Sequence, residues 1–223
     1  MIADYILTAV EHEHRPDSDR ERDQNRKPSE VLDFFKIQTT DKIGEINAGR
    51  GYFSSIMAYA LQQGGLVYAH TSPMSVERWK GNPIEKRLSE FPQDNLIPVV
   101  GEMESPNFPE KLDKIFNVMT YHDSVWTKAD RSAMNRSIFD TLITGGIYGI
   151  LDHHAKSGHG INDCHSIHRI EKNFVIKEVE ASGFILEDEL NSLENHDDSL
   201  TSMVFEKEIR DRTSRFVLKF RKP

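Results

Sequence analysis

The chain has 223 residues, and its 36 acidic side chains outnumber 28 basic ones, which gives a formal net charge of -8. A chain this acidic is poorly suited to a nucleic-acid backbone, so we expect no nucleic-acid partner. A single cysteine excludes an intrachain disulfide and a zinc site built from several thiolates, and the absence of a long apolar run predicts no membrane span.

The N-terminal part, residues 1–40, is predicted to form a helical extension or lid, followed by a main domain over residues 41–223. Apolar spacing predicts a short helix within residues 1–14. Residues 15–30 are almost wholly charged or polar, which is typical of a solvated connector or of a lid over a ligand. The chain starts without the basic head and apolar stretch of a secretory signal, so we expect a cytoplasmic protein.

From residue 42 onward, short apolar runs alternate with longer amphipathic segments. The predicted strands are 42–46, 66–70, 96–100, 112–121, 147–151, a run beginning at 184, and 215–220. The predicted helices are 52–63, 75–90 with a break at Pro83, 130–143 and 166–182. Strands that alternate with helices favour a parallel sheet, whereas the last two strands lack a helix between them and are expected to pair antiparallel. The pattern predicts an α/β, Rossmann-like sheet of seven mostly parallel strands.

The turn after the first predicted strand contains the clearest ligand-binding pattern in the chain. It runs Glu45-Ile46-Asn47-Ala48-Gly49-Arg50-Gly51-Tyr52, and a helix follows at once. In an open parallel sheet ligands bind at the carboxyl ends of the strands, and the free N–H groups of the following helix point toward them. The turn is similar to the dinucleotide pattern G-x-G-x-x-G/A, with Ser54 in third place. It is also similar to acid-x-G-x-G-x-G, the first motif of class I S-adenosylmethionine-dependent methyltransferases, with Asn47 replacing the first glycine.

The residues around this turn favour the second pattern. A nicotinamide-binding protein is expected to end its second strand with an acidic residue that holds the ribose, and this chain has His70-Thr71 there. A carboxylate such as Glu45 is unfavourable beside a pyrophosphate but favourable beside a ligand that carries an ammonium and a sulfonium group. A dinucleotide site, or a structural turn without a ligand, remains open as an alternative.

Collinear motifs along the chain resemble a bacterial family of predicted class I methyltransferases. Residues 22–35 are similar to its R-D-x-x-R-x-P-x-E-x-L-x-F-F segment, and the turn at 45–52 to its E-I-x-P-G-x-G-x-Y loop, with Ala48 where proline is usual. Residues 152–155, 169–184 and 215–223 resemble its D-H-R-A segment, its following helix and its C-terminus. The resemblance covers roughly residues 20–223 and implies the class I methyltransferase fold and S-adenosylmethionine as cofactor. It supplies no methyl acceptor, and the absent acid at His70-Thr71 also allows a non-catalytic relative.

The predicted cofactor-binding residues follow the ends of the first four strands. They are Glu45, Asn47, Gly49, Gly51, Tyr52, His70, Thr71, Glu102, Met103 and Tyr121. Glu102 and Met103 stand where this class commonly contacts adenine, and Tyr121 is placed to meet the sulfonium through a cation–π contact. The predicted catalytic residues are His122 as general base, Asp123 as the group that orients it, and His154.

Histidine and aspartate are concentrated after the fourth and fifth strands. The residues concerned are His122, Asp123, Asp152, His153, His154, His159, His165 and His168. The sequence contains neither H-E-x-x-H nor a helical H-x-x-x-H pair, so we predict no resident metal. The sequence thus predicts a methyltransferase that acts on a small molecule. The alternatives are a non-catalytic cofactor-binding protein, an NAD(P)-dependent oxidoreductase and a metal-dependent hydrolase that uses these histidines.

Overall fold

The computed structural model describes residues 1–61 and 63–223. The helices are α1 (Asp4–Val10), α2 (Asp17–Arg20), α3 (Asp23–Arg26), α4 (Pro28–Phe34), α5 (Tyr52–Ala60), α6 (Pro73–Arg78), α7 (Pro83–Glu90), α8 (Tyr121–Trp126), α9 (Arg131–Thr141), α10 (Cys164–Ile167) and α11 (Lys172–Glu180). The strands are β1 (Lys42–Ile46), β2 (Leu66–Thr71), β3 (Leu96–Val100), β4 (Leu112–Val118), β5 (Leu142–His153), β6 (Ile185–Leu190) and β7 (Arg215–Arg221).

The strands form one sheet in the order β3-β2-β1-β4-β5-β7-β6. The β1–β2, β1–β4, β2–β3 and β4–β5 pairs are parallel, whereas β7 pairs antiparallel with both β5 and β6. The predicted seven-stranded, mostly parallel sheet with an antiparallel last strand is therefore confirmed. The strand order reverses between β1 and β4, and a crevice at such a point is where open α/β sheets bind ligands.

Left-handed residues interrupt two predicted elements at positions that their apolar patterns do not indicate. The fourth strand stops at Val118, because Met119 takes a left-handed backbone conformation with φ of 55° and the chain then turns into α8. The predicted helix over 166–182 is divided into α10 and α11 at His168, which is also left-handed with φ of 57°. The left-handed conformation is uncommon for residues other than glycine, so apolar spacing alone does not reveal either break.

The N-terminal extension shares its core with the main domain. Ile6, Leu32 and Phe35 are buried in one apolar cluster together with Phe53 and Met57 of α5. The boundary predicted at residue 40 therefore lies just before the first strand of the sheet. The apolar core includes side chains from both sides of that boundary. Within the part of the chain that the structure describes, no helix is both long enough and apolar enough to cross a membrane.

We expect Gly149→Ala to destabilise the protein, because this glycine lies where the extension meets the sheet. A methyl group on Gly149 would lie 2.5 Å from the ring of Phe116 and 2.8 Å from the ring of Phe35. Overpacking of this kind costs about 1–3 kcal/mol. Chemical denaturation checks the prediction, and an unchanged free energy of unfolding would contradict it.

Candidate functional site

The loop after β1 has the backbone shape that its glycine pattern predicts. Asn47, Gly49 and Gly51 all have positive φ, at 46°, 59° and 76°. Asparagine adopts this left-handed conformation more readily than most residues, so Asn47 takes the first glycine position without breaking the loop. A Cβ added to Gly49 would meet no atom within 4 Å, so open space lies in front of the loop.

Glu45 is a buried carboxylate at the start of this loop, with only 3% of its surface exposed. The hydroxyl of Ser54 in α5 donates a hydrogen bond to it. Burial raises the pKa of Glu45 to about 7, although the Ser54 hydrogen bond and the charges of Arg26 and Arg87 act in the opposite direction. The carboxylate is therefore only partly ionised at neutral pH, and a cation placed beside it would complete its ionisation.

His70 of β2, predicted to contact a ribose, connects the loops that follow β1 and β3. Its Nδ1 accepts a hydrogen bond from the backbone N–H of Asn47 at 3.1 Å, and its Nε2 is 2.8 Å from the carbonyl oxygen of Gly101. Burial lowers the pKa of His70 to about 4, so the ring is neutral and Nε2 carries its proton. Both ring nitrogens thus have partners inside the protein. The predicted ribose contacts of His70 and Thr71 stay predictions, because Thr71 is also buried and its hydroxyl lies 3.4 Å from the side-chain oxygen of Asn82.

Tyr52 connects the glycine loop to the N-terminal extension. Its hydroxyl donates to Asp23 at 2.5 Å, and Arg15 contacts the same carboxylate through two hydrogen bonds of 2.7 Å. The guanidinium of Arg26 lies 4.5 Å from the centre of the Tyr52 ring. The predicted cofactor residue therefore has its hydroxyl engaged within the protein, while the charged segment is packed against the loop.

Ion pairs with two other parts of the chain hold residues 15–30 in place. Asp211 accepts hydrogen bonds from Arg22 at 2.6 Å and from Arg26 at 3.3 Å. Arg87 of α7 pairs with Asp19 at 2.7 Å. The charged groups of residues 15–30 are thus paired with the main domain, and their predicted role as a lid stays a prediction.

The two residues predicted to contact adenine have different environments. Glu102 is exposed after β3, where a ligand can reach it. Met103 is buried, with 2% of its surface exposed, and its sulfur lies 3.7 Å from the hydroxyl of Thr127. Met103 therefore packs in the core beneath this edge of the sheet.

Tyr121, predicted to meet a sulfonium, is fully buried under α9 and α11. Its hydroxyl lies 2.8 Å from the side-chain amide of Asn135 and 3.1 Å from the carboxylate of Glu178. No part of the side chain is exposed to a ligand, so this geometry gives the predicted contact no support.

His122 lies at the centre of a cluster formed by the ends of β4 and β5. Its Nδ1 is 2.7 Å from Asp152, which also accepts a hydrogen bond from the backbone N–H of His122 at 2.9 Å. Its Nε2 is 3.2 Å from Asp123 and 3.2 Å from Nδ1 of His168. The structure thus brings together the predicted pair His122 and Asp123 and adds Asp152 and His168.

The carboxylates determine the protonation of His122. Burial alone would lower its pKa, but Asp152 and Asp123 outweigh this effect and raise the pKa to about 10. The pKa of Asp123 is lowered, because hydrogen bonds to His122 and His168 outweigh its own burial. A histidine that holds a proton at neutral pH is poorly suited to the predicted role of general base.

His154, the third predicted catalytic residue, makes different contacts. Its Nε2 lies 3.9 Å from Glu194, and its ring packs edge-on against Phe216 with the ring centres 5.1 Å apart. Burial lowers the pKa of His154, which leaves the ring neutral. Its described contacts are thus with residues outside the His122 cluster.

Asp152 and His168 are the functional candidates that sequence reasoning placed among the histidine-rich residues but did not select. Asp152 ends β5, and adjacent parallel strands bring their carboxyl ends to one edge, which is the signal that could have paired it with His122. His168 is 46 positions from His122 along the chain. Its approach depends on the left-handed break between α10 and α11.

A cavity of about 750 Å³ lies beside the glycine loop. Its lining includes Asp19, Arg50, Trp79, Lys80, Lys86 and Arg87. The Arg50 guanidinium lies 5.5 Å from the centre of the Trp79 ring. The basic and aromatic lining is distinctive in a chain of net charge -8, and it adjoins the loop rather than the His122 cluster.

Comparison with known proteins identifies the fold. Neither a family model nor a curated protein sequence matches the chain. Among solved structures, a SAM-dependent methyltransferase from Aquifex aeolicus superposes with a TM-score of 0.65 at 12% identity, covering 88% of this chain and 89% of the other. The glycopeptide N-methyltransferase MtfA complexed with sinefungin gives 0.62 at 15% identity, with 89% and 86% covered. A TehB-like SAM-dependent methyltransferase from Corynebacterium glutamicum gives 0.57 at 16% identity, with 94% and 100% covered.

The chain therefore has the fold of the class I methyltransferases. The superpositions cover 88% or more of this chain and 86% or more of each of the three neighbours, so the likeness extends over nearly the whole fold. The resemblance predicted from the collinear motifs is confirmed at the level of the fold.

Proposed function

We propose that this protein is a methyltransferase that uses S-adenosylmethionine and acts on a small molecule. The observation that carries the proposal is the loop after β1, in which Glu45 precedes three left-handed residues at the switch point of the sheet. The neighbours described above are methyltransferases by name, and one of them was solved with the cofactor analogue sinefungin.

The residues of the loop fit a cofactor that carries a positive charge. Glu45 is a buried carboxylate whose ionisation is incomplete, so an ammonium group near it gains a charge-assisted interaction. The space in front of Gly49 lets a ligand approach the backbone. The cofactor supplies an electrophilic methyl group, while Glu45, Asn47, Gly49, Gly51 and the hydroxyl of Thr71 bind and orient it.

The acceptor is proposed to lie at the ends of β4 and β5, beside His122 and Asp123. These strands are adjacent in the sheet and their carboxyl ends face the same edge as the glycine loop. His122 and Asp123 would hold polar groups of the acceptor, and the rate would come from positioning and exclusion of water. A net charge of -8 favours a small molecule over a nucleic acid.

Calorimetric titration with S-adenosylmethionine, S-adenosylhomocysteine and NAD(P) tests the cofactor. We expect one binding site for each of the first two compounds and none for the dinucleotides, because no acidic side chain ends β2. Binding of a dinucleotide alone would replace the proposal with an oxidoreductase. A panel of hydroxyl, amine and carboxylate acceptors then separates an enzyme from a cofactor-binding protein without turnover.

A further inference from the structure

Three side chains at the end of β4 converge on one point. They are His122 and Asp123 of α8 and His168, which follows α10. We propose that Nε2 of His122, Oδ1 of Asp123 and Nδ1 of His168 together bind a single divalent transition-metal ion of the zinc class. This inference differs from the sequence expectation of no resident metal. His122 and Asp123 are also the residues proposed above to hold the acceptor, so an ion bound here would contact the acceptor in their place. Metal binding itself is tested without methyl transfer.

The distances among the three ligand atoms match a tetrahedral site. Nε2 of His122 is 3.2 Å from Oδ1 of Asp123 and 3.2 Å from Nδ1 of His168, and the latter two atoms are 3.6 Å apart. Zinc binds imidazole nitrogen and carboxylate oxygen at about 2.0–2.2 Å, which places neighbouring ligands of a tetrahedron about 3.3–3.6 Å apart. One ion can therefore reach all three atoms without a large movement of the chain.

Asp152 fixes the orientation of the His122 ring and engages its Nδ1, so that Nε2 is the ring atom left to bind a metal. Its carboxylate lies 2.7 Å from Nδ1 of His122, and it is held in turn by the backbone N–H groups of His122 at 2.9 Å and His153 at 2.7 Å. With Nδ1 donating to Asp152, a neutral His122 directs the lone pair of Nε2 toward Asp123 and His168. A carboxylate behind a ligating imidazole is the usual support of histidine–metal sites.

The ligand set also indicates the kind of ion and an open position. Two imidazoles and one carboxylate suit zinc, iron(II) or nickel better than magnesium or calcium, which prefer oxygen ligands. The side chain of Asp123 is 33% exposed and that of His168 is 21% exposed, whereas His122 and Asp152 are buried. The solvent side of the cluster is therefore free for a fourth ligand from water or substrate, as in catalytic zinc sites.

The competing arrangement is a proton in place of the ion. In that arrangement Nε2 of His122 carries a proton and donates a hydrogen bond to Asp123 or to His168, and no metal is bound. Single substitutions of the three side chains distinguish the two arrangements. Only a metal site needs all three side chains at once, so each substitution should weaken Zn²⁺ binding.

Metal titration of untagged, chelator-treated full-length protein tests the proposal. We expect Zn²⁺ to bind at one ion per chain with micromolar or tighter affinity by calorimetry, and Co²⁺ to give the intense visible absorption of a tetrahedral site. His168→Asn keeps a residue that tolerates the left-handed backbone, and Asp123→Asn keeps the side-chain shape. Each is expected to lose at least tenfold in affinity, and Asp152→Asn is expected to lose 10–100-fold.

The matched control is His165→Asn, which removes an exposed histidine three positions before His168. It should bind Zn²⁺ as the unaltered protein does, and circular dichroism should show that every variant is folded. Absence of stoichiometric binding in the unaltered protein would overturn the proposal, as would equal affinity in the folded His168→Asn and Asp123→Asn variants. Either result would assign the cluster to a bound proton.

Discussion

Replacing Glu45 with glutamine is expected to weaken binding of S-adenosylmethionine by about 10- to 150-fold. A hydrogen bond to a charged group is worth about 1.5–3 kcal/mol, and glutamine keeps the size of the side chain while removing its charge. Glu45 is buried and its hydrogen-bond partner is the hydroxyl of Ser54, so its charge is little screened by water. Calorimetric titration of the variant and the unaltered protein measures the effect.

The same carboxylate makes cofactor affinity depend on pH. Because burial raises the pKa of Glu45 to about 7, a positively charged ligand should bind more tightly as the pH rises from 6 to 8, since it binds the ionised form. In the absence of ligand, the stability of the folded protein depends on pH in the opposite direction to the cofactor affinity. The folded protein holds this proton more strongly than the unfolded chain, so the free energy of unfolding contributed by Glu45 falls as pH rises between 4.5 and about 7.

The control for both measurements is Glu102→Gln, which removes an exposed carboxylate on the neighbouring loop. If Glu102 contacts only the adenine edge, this variant changes affinity less than Glu45→Gln and keeps the pH dependence. A Glu45→Gln variant that binds the cofactor as tightly as the unaltered protein would contradict the role assigned to the loop.

Asp198→Ala is expected to reduce the free energy of unfolding by about 3–5 kcal/mol, the usual effect of leaving a buried charge without its partner. Arg169 is fully buried and makes two hydrogen bonds to Asp198, at 2.9 and 3.0 Å. The carboxylate also accepts hydrogen bonds from the backbone N–H groups of Leu200 at 3.0 Å and Ser214 at 2.7 Å. The substitution therefore removes the ionic partner of the buried Arg169 and, at the same time, the acceptor of the backbone hydrogen bonds from Leu200 and Ser214.

Thermal unfolding checks this expectation. For a chain of this length, each kcal/mol corresponds to about 2–4 °C, so the midpoint should fall by about 6–20 °C. The control is Glu189→Ala, which breaks the half-exposed pair with Lys172 at 2.7 Å and should cost about 0–1 kcal/mol. Equal effects of the two substitutions would show that the Arg169–Asp198 pair does not hold the C-terminal loops in place.

The sequence indicated the fold because its signals are local. Alternating apolar runs and amphipathic segments predicted all seven strands, and the missing helix before β7 predicted its antiparallel pairing, as the structure confirms. The loop at Glu45 was identified in the same way, since Gly49 and Gly51 have positive φ and two closely spaced glycines after a strand mark a turn. Apolar spacing did not reveal the left-handed residues Met119 and His168, where asparagine and glycine are the usual signals.

By itself the sequence therefore determined the succession of the seven strands along the chain, the glycine loop and the charge of the chain, but it did not predict the helix α8. Only the tertiary structure decided which side chains meet. His122 and His168 approach to 3.2 Å from positions far apart in the chain, and Tyr52 reaches Asp23 across the boundary of the extension. The physical reason is that apolar periodicity depends on neighbouring residues, whereas the protonation and partners of buried polar groups depend on contacts that exist only after the sheet has formed.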